Sequence, residues 1–362
     1  MQYRAMIKQH TYSIILTMSD AMRLFIFFIL TGLSTASLAQ VGGSSTYNFL
    51  NLTTSARTAA LGGRMVSSAN GDLSGVWQNP ALLTSEMHQN LVLSYNNLFA
   101  GAGYGYAAYA THLPAWGTIA AGVQYVDYGT FRGADQLGNL QGDFFAKDFA
   151  LCLSFTRQLD SSFYVGISLK PVLSSYERYT SAGLATDIGA VYLSHNGNFS
   201  AGLVLRNIGY QFKTYASTHE PLPFEIILGL SQKLQYAPFR FSVTLHHLQN
   251  FNMYFDSPLD QQAENNTQKS SGEKFLENML RHVIASVEFL PSKTFYLATA
   301  YNYQRRKEMA LYDAPGTVGF SFGAGIRTQK FSLSYGHAVY HAAGGSDHFS
   351  LLVNLGNFIS KH

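Results

Sequence analysis

The sequence is poor in charged residues and in cysteine. Asp, Glu, Lys and Arg make up 12% of its 362 residues, about half the share of an average soluble domain, which argues against an ordinary soluble enzyme. A chain with 47% apolar residues is also too hydrophobic to be disordered. The formal net charge of +3 provides no basic surface for nucleic acid. Because Cys152 is the one cysteine, an intramolecular disulfide and a cysteine-based zinc site are excluded.

Long apolar runs are missing too, except near the N-terminus. There, residues 24–30 are all apolar, but this run is shorter than the ~20 residues of a membrane-spanning helix. Ala39 ends a small-x-small cleavage motif. We therefore interpret residues 1–39 as a secretory signal peptide, with a transmembrane anchor as the alternative. Residues 1–21 are interpreted as an artefact of an upstream start codon, so that translation starts at Met22. A start at Met1 is the alternative.

From about residue 90 onward, the chain alternates apolar and polar residues with period two. Around Cys152, for example, Leu151 and Leu153 share an apolar face, and Ala150 and Ser154 lie on the opposite face. The pattern recurs in about fourteen segments, most of them as long as the roughly ten residues that a tilted strand needs to cross a bilayer. These segments lie near 90–97, 104–112, 116–128, 145–157, 162–174, 183–194, 198–208, 223–233, 238–248, 280–290, 293–304, 318–328, 331–340 and 348–358.

Short and long links alternate between these segments, which is typical of an outer-membrane barrel with short periplasmic turns and long outer loops. A bilayer also requires a closed sheet, because an open edge would leave backbone groups unpaired. We therefore predict an all-β fold: a transmembrane antiparallel β-barrel of about 14 strands over residues 90–358, in a Gram-negative outer membrane with its loops exposed at the cell surface. A soluble all-β protein is the alternative. The predicted long links are 129–144, 175–182, 209–222, 249–279 and 305–317.

Charged residues occupy the face of several strands that would point into the barrel. Both signs are present in each half of the predicted lumen. Because an isolated charge in a confined lumen is costly, we predict paired networks that fill the barrel, with a permeation path as the alternative. The residues concerned are Asp148, Lys170, Arg206 and Glu225 in one half, and Arg240, Glu288 and Arg327 in the other.

Residues 40–89 precede the first strand and do not alternate. We predict a short helix that begins after Thr54 or Ser55 and ends at Gly62-Gly63. A segment without strands in front of a wide barrel is suited to plug its lumen. The chain is thus predicted to have an N-terminal hatch over residues 40–89.

Two motifs in this hatch resemble a known family. Ser-Ala-Arg-Thr-Ala-Ala-Leu-Gly-Gly, followed by Asn-Pro-Ala-Leu-Leu, is similar to the N-terminal hatch of the PorV/PorQ family of the type IX secretion system, and residues 49–52 look most like its PorQ members. The Asn-Pro-Ala element and the fourteen strands also resemble the long-chain fatty acid transporters. The resemblance is sharp over residues 47–84 and diffuse over the barrel. The motif residues are Ser55, Ala56, Arg57, Gly62, Gly63, Asn79, Pro80 and Ala81.

The resemblance implies a non-catalytic component of the type IX attachment complex that supports secretion and surface attachment of cargo proteins. It implies a PorZ-like surface protein as partner, together with the PorU and PorV components. No catalytic residue, cofactor or metal is carried over. Passive uptake of hydrophobic molecules, with the hatch as gate, is the alternative function, and an outer-membrane lipid hydrolase or acyltransferase is a third.

The longest predicted loop is the candidate partner-binding surface. Residues 249–279 far exceed what a hairpin needs, and such loops are usually functional or disordered. The loop mixes acidic and aromatic residues, as a wet protein interface does. A neighbouring basic run is predicted to bind either the partner or the phosphates of lipopolysaccharide in the outer-membrane lipid. The candidate residues are Phe251, Tyr254, Phe255, Asp256 and Asp260, with Arg305, Arg306 and Lys307 in the basic run.

Histidines offer little support for catalysis or metal binding. A lipid hydrolase would need a Ser-His pair oriented by an acid, and His337, His341 and His348 lie near Ser346 and Asp347. We interpret this group as part of a turn and not as a triad or metal site.

Three further side chains are predicted to have structural roles. His246 and His247 are neighbours on a predicted strand, so their side chains should point to opposite faces and should not share a metal. Cys152 is predicted to be a buried, inert thiol.

Overall fold

The fold was analysed in a computed structural model, which describes residues 45–68, 71–97, 102–135, 137, 139–254, 270–311, 316–341 and 344–359. The predicted signal peptide and the candidate partner residues Phe255, Asp256 and Asp260 lie outside the described residues. Within the described part of the chain, fourteen antiparallel strands pair in sequence order, and β1 also pairs with β14, so that the sheet closes into a barrel. The prediction of an all-β, fourteen-stranded antiparallel barrel is confirmed.

The strands are β1 (Asn90–Asn97), β2 (Gly103–Leu113), β3 (Gly117–Ala134), β4 (Leu140–Gln158), β5 (Phe163–Tyr176), β6 (Tyr179–Leu193), β7 (Phe199–Lys213), β8 (Glu225–Lys233), β9 (Phe239–Leu245), β10 (Val283–Phe289), β11 (Phe295–Asn302), β12 (Phe320–Arg327), β13 (Phe331–His341) and β14 (Gly344–Asn354). The α-helices of the described residues are α1 (Ala56–Ala60), α2 (Ser271–Arg281), α3 (Tyr303–Met309) and α4 (Gly356–Ile359). No helix among the described residues is long and apolar enough to span a membrane.

Two predicted long loops are paired strand instead. β3 and β4 run for 18 and 19 residues and leave only 135–139 as their link, and β5 and β6 are joined by 177–178 alone. The predicted loops 129–144 and 175–182 were therefore wrong in extent. These strands exceed the roughly ten residues that a bilayer requires, and their polar ends continue the ladder, as the pair Tyr176 and Tyr179 shows.

The last strand ends earlier than predicted. β14 stops at Asn354, and Phe358 lies in the short helix α4, where the sequence had predicted a strand up to residue 358. The neighbouring strand β1 begins only at Asn90, which pairs with Asn354. Beyond that point β14 has no β1 residue left to pair with, and the Asn354 side chain instead accepts a hydrogen bond from the backbone N–H of Asn357 at 3.1 Å.

The outer face of the barrel is apolar. Aliphatic side chains on this face remain exposed, for example Leu203 at 45% and Leu333 at 54%. The opposite face of the same strands carries buried serines such as Ser168 and Ser350. A continuous apolar outer band with a polar interior is typical of a barrel in contact with lipid. The fold thus supports a location in the outer membrane.

Proteolysis will identify the end of the barrel that faces outward. We call the end that carries the turns 114–116, 159–162 and 234–238 the short-turn end, and the opposite end the long-loop end. If the long-loop end is outside, a protease added to intact cells will cut within 256–278 and spare 158–161. Cleavage at 158–161 with protection of 256–278 would reverse this orientation.

Residues 45–68 and 71–88, which we call the inner segment, fill the interior of the barrel. The segment starts at the long-loop end, where the N–H of Thr46 donates to the carbonyl of Pro221 at 2.9 Å. It leaves at the short-turn end, where the N–H of Gln89 donates to the carbonyl of Ala110 at 2.9 Å. The largest apolar cluster of the described residues lies along its path and includes the fully buried Trp77. The protein's core is therefore formed between the inner segment and the barrel wall.

Candidate functional site

Helix α1 of the inner segment has the ends that the sequence predicts. The Ser55 side chain accepts a hydrogen bond from the N–H of Thr58 at 3.4 Å and caps the helix. Gly62 and Gly63 follow its last turn with φ of 89° and 94°, a conformation that favours glycine. The helix lies against β12, β13 and β14.

Glycines in the barrel wall let the inner segment approach the strands. A Cβ atom on Gly336 would overlap the carbonyl oxygen of Ala56, and one on Gly202 would overlap the carbonyl oxygen of Val66. Because both clashes are with backbone atoms, the wall could not adjust by moving a side chain. These strand positions therefore admit only glycine while the segment is in place.

The Asn-Pro-Ala motif has a structural role. Asn79 Oδ1 accepts a hydrogen bond from the N–H of Ala81 at 3.0 Å, and its Nδ2 donates to the carbonyl of Val66 at 2.9 Å. The carbonyl of Pro80 accepts a hydrogen bond from the Thr156 hydroxyl at 2.5 Å. The motif thus folds a turn on itself and ties that turn to β4.

A buried ion pair fixes the inner segment to the barrel wall. Arg57 of α1 donates from Nε and Nη2 to Glu288 Oε1 at 2.9 and 2.7 Å. On the other side of the carboxylate, Arg240 Nη1 lies 3.3 Å from Glu288 Oε2. The Glu288 side chain is 1% exposed. One acid from β10 thus balances a cation from the segment and a cation from β9.

A second charged group lies nearer the long-loop end. Glu225 is approached by Arg64 of the inner segment at 3.3 Å and by Arg206 at 3.6 Å. Arg206 also donates to the carbonyl of Leu50 at 3.0 Å and so reaches the segment. Lys170 pairs with Asp187.

Most of the predicted lumen charges are satisfied within the barrel. Asp148 accepts hydrogen bonds from the hydroxyls of Tyr128 at 2.7 Å and Tyr176 at 2.9 Å. The Lys170 ammonium lies 4.3 Å from the centre of the Trp77 ring. These contacts support the predicted paired networks. Arg327 differs, because it is exposed at the short-turn end.

His246 and His247 lie on the same side of the chain, contrary to the prediction. β9 ends at Leu245, and His247 has a left-handed φ of 54°, so the strand alternation no longer applies. Their rings lie 4.8 Å apart, and Nδ1 of His247 lies 3.5 Å from Glu225 Oε1. Burial lowers the pKa of His246 well below its usual value and also lowers the pKa of His247. Both rings are therefore neutral at neutral pH.

The group around His337 does not form a serine triad among the described residues. His337 Nδ1 lies 2.8 Å from Asp347 Oδ1, but the Ser346 hydroxyl donates to the carbonyl of Asn97 at 2.6 Å. His348 Nδ1 lies 2.8 Å from Asn96 Oδ1. The Ser346 hydroxyl thus bonds to a backbone carbonyl and not to the His337–Asp347 pair. Cys152 is buried, as predicted.

The long link between β9 and β10 contains a helix that the sequence analysis missed. Helix α2 begins at a capping box: Ser270 Oγ accepts from the N–H of Glu273 at 3.3 Å, and Glu273 Oε2 accepts from the N–H of Ser270 at 2.7 Å. The Ser-x-x-Glu spacing at 270–273 was the sequence signal that could have revealed it. Of the candidate partner residues, Phe251 is exposed and Tyr254 is partly buried beside this helix.

Helix α2 is oriented with its polar face inward. Asn278 donates to the carbonyl of Phe251 and accepts from the N–H of Met253, both at 2.7 Å, and Arg281 pairs with Glu277 at 2.9 Å. The opposite face is apolar and exposed. This face consists of Phe275, Leu276, Met279 and Leu280.

The three residues of the basic run make different contacts in the structure. Arg305 is turned toward the inner segment and donates to the carbonyl of Gly62 at 3.2 Å. Arg306 donates to the carbonyl of Gly316 at 2.8 Å. Lys307 Nζ lies 3.8 Å from Glu277 of α2 and stays partly exposed. A contact of these three residues with a partner or with lipopolysaccharide stays a prediction, and Lys307 is the one best placed for it.

Comparison with solved structures identifies the fold. The chain is similar to a deltaS2 mutant of the TodX monoaromatic hydrocarbon channel, with 13% identity over 83% of this chain and 97% of that chain and a TM-score of 0.50. It is also similar to the toluene transporter TodX of Pseudomonas putida (13% identity, 82% and 95% coverage, TM-score 0.46) and to a Pseudomonas aeruginosa FadL homologue (12%, 83% and 97%, 0.44). No family model and no curated protein sequence matches the chain. At such identity the likeness shows the fold alone, a barrel of the outer-membrane type.

Proposed function

We propose that this protein is a non-catalytic outer-membrane barrel that anchors a surface partner, as a component of the type IX secretion attachment complex. The partner is a PorZ-like surface protein, held together with the PorU and PorV components. The proposal builds on the resemblance of residues 47–84 to the PorV/PorQ family. Such a role needs a rigid barrel and an outward docking surface, and it needs no open lumen.

The apolar face of α2 is the observation that carries this proposal. An exposed helix normally turns its polar residues to solvent, but α2 directs Asn278 and Arg281 inward and leaves Phe275 and Leu276 at 58% and 60% exposure. Exposed apolar side chains grouped on one surface mark interaction sites. Aromatic residues are the most common anchors of protein interfaces. The face lies within the loop 249–279 that the sequence singled out.

The filled interior favours an anchor over a channel. Arg57 and Arg206 join the inner segment to the wall at buried positions, and Arg64 does so at a partly buried one. A gate that opened would have to separate the Arg57–Glu288 pair. Arg240 would still contact Glu288, but the buried Arg57 would lose its carboxylate, which is strongly destabilising. Passive uptake of hydrophobic molecules is the second candidate. It is favoured by the likeness in fold to a barrel described as a monoaromatic hydrocarbon channel.

Substitutions on α2 test the anchoring role. Phe275→Ala combined with Leu276→Ala should release the partner from the cell surface, because truncating a central aromatic anchor costs about 2 kcal/mol or more, roughly thirtyfold in affinity. Retention is measured by co-purification from detergent-solubilised outer membranes. Tyr236→Ala is the matched control, because Tyr236 is 94% exposed but lies in a turn at the short-turn end.

A second variant addresses the rest of the loop. Replacing 256–269 with a short Gly/Ser turn keeps the capping residues Ser270 and Glu273, so barrel insertion and heat-modifiable gel migration should be unchanged. The partner should be lost, because the candidate residues Asp256 and Asp260 are removed. If the partner remains bound to both loop variants, the anchoring surface lies elsewhere. A lone barrel that carries bound fatty acid would favour the uptake function instead.

A further inference from the structure

Glu225, His246 and His247 form a buried cluster for which the anchoring role has no use. Glu225 begins β8, and the two histidines follow the end of β9, so all three lie at the long-loop end. Glu225 is 0% exposed and His246 is 2% exposed, whereas His247 is partly buried. The cluster can therefore be reached from one side, through His247.

Each of these side chains has a buried atom without a hydrogen-bond partner. The atoms are Glu225 Oε2, His246 Nε2 and His247 Nδ1. Buried polar atoms are nearly always satisfied, and an orphaned group in a native fold points to an ion or water that completes it. Glu225 Oε2 still lies 3.3 Å from Arg64 Nε and 3.6 Å from Arg206 Nη1, so it is the two unpartnered histidine nitrogens that mark a place for a ligand.

The spacing of the donor atoms suits a metal ion. One ligand atom from each residue can be chosen so that all three lie within 4.8 Å of one another. Glu225 Oε1 lies 3.5 Å from His247 Nδ1 and 3.9 Å from His246 Nδ1. Ligands bound tetrahedrally to zinc at ordinary bond lengths lie about 3.4 Å apart. Separations of up to 4.8 Å exceed that spacing by up to about 1.4 Å, so the three side chains would have to close around a bound ion.

We propose that Glu225, His246 and His247 bind a divalent transition-metal ion, with zinc as the best fit. Two imidazoles and one carboxylate are ligands that zinc accepts, and such a set leaves a fourth position for water. The hard ions calcium and magnesium prefer sites made of oxygen ligands alone. The cluster lies on the barrel, apart from the exposed face of α2, so the proposal is independent of the partner.

Arg64 is the cation that the metal would replace. Its Nε lies 3.3 Å from Glu225 Oε2, and its Nη1 donates to the carbonyl of Asn51 at 2.9 Å. Arg64 is more exposed than Arg206, so it can withdraw from the carboxylate while keeping its backbone contact. Like charges repel strongly at such distances. Metal binding should therefore compete with the contact between Arg64 and Glu225.

Calorimetry on the purified, chelator-treated protein in detergent tests the site. We expect zinc to bind with one ion per chain, and cobalt(II) at the same site to give the visible absorption of a four-coordinate ion. His246→Gln and His247→Gln should each weaken zinc binding by at least about tenfold. Arg64→Gln should strengthen it, because the competing cation is gone.

His337→Gln is the matched control. His337 also faces a carboxylate, that of Asp347 at 2.8 Å, but lies on β13 outside the cluster. Its loss should leave zinc affinity unchanged. The proposal fails if the intact protein shows no saturable zinc binding, if both cluster variants bind as the parent does, or if Arg64→Gln has no effect. If the cluster variants do not fold, the cobalt spectrum of the parent protein decides, and absence of the four-coordinate bands overturns the site.

Discussion

Deleting residues 47–88 should leave a barrel that inserts into a bilayer but conducts ions in steps of porin size. The wall of fourteen strands is held by its own ladder, and β1 still pairs with β14. Barrels of about eight strands fill their interior with side chains, while those of 16–18 leave a water channel. A barrel of intermediate width, deprived of the segment that fills it, should therefore be open. Planar-bilayer recordings of the deletion and of the intact protein provide the measurement.

The intact protein is the first control and should be nearly closed. A second control is Asp72→Asn, which keeps the segment but removes a carboxylate whose hydrogen bonds to described residues lie within it, to the N–H of Ser74 at 3.1 Å and to the Ser55 hydroxyl at 3.2 Å. That variant should remain closed. Equal conductance of the deletion and the intact protein would mean that the inner segment is not what closes the lumen.

Glu288→Ala should lower the free energy of unfolding by about 3–5 kcal/mol, because it removes the shared partner of the buried Arg57 and the partly buried Arg240. Arg57 and Arg240 would then repel each other, and Arg57 would keep only the Ser68 hydroxyl, 3.2 Å from its Nη2. The midpoint of heat-modifiable gel migration, measured against urea, reports the loss. Adding Arg240→Gln to this variant should restore part of the stability, since one uncompensated charge is removed.

Asp347→Asn is the matched control for this prediction. The pair of His337 and Asp347 is 35% and 41% exposed, and exposed pairs contribute about 0–1 kcal/mol. If Glu288→Ala lowers the free energy of unfolding no more than Asp347→Asn does, the buried charges around Glu288 do not stabilise the barrel.

Much of the fold was predictable because period-two alternation records the two environments of a barrel strand. The lipid face at Leu151 and Leu153 is apolar, and the lumen face at Ser154 is polar. The strand boundaries were predicted wrongly for the parts of the strands that extend beyond the bilayer. Past the bilayer both faces of a strand meet water, so polar residues such as Glu177 resemble a loop although the neighbouring residues are still paired.

The site was less predictable, because its contacts join residues far apart in sequence. The hatch motifs could be located, but Arg57 and Glu288 are separated by 231 positions, and no local pattern pairs them. The cluster at Glu225 was missed for a backbone reason. His247 adopts a left-handed conformation after the strand ends, and alternation predicts opposite faces only while a strand continues.

The position of helix α1 has a consequence for the order in which the chain assembles. This helix comes from the N-terminal part of the chain but packs against the last three strands, and the N–H of Ala56 donates to the Ser350 hydroxyl at 2.9 Å across 294 positions. Contacts of such long sequence separation form late and slow the folding of a chain. The strand that follows the inner segment, β1, is also the one that β14 must meet to close the wall. Pairing of β1 with β14 and enclosure of the inner segment should therefore occur together. A chain truncated before β14 should leave helix α1 accessible to solvent.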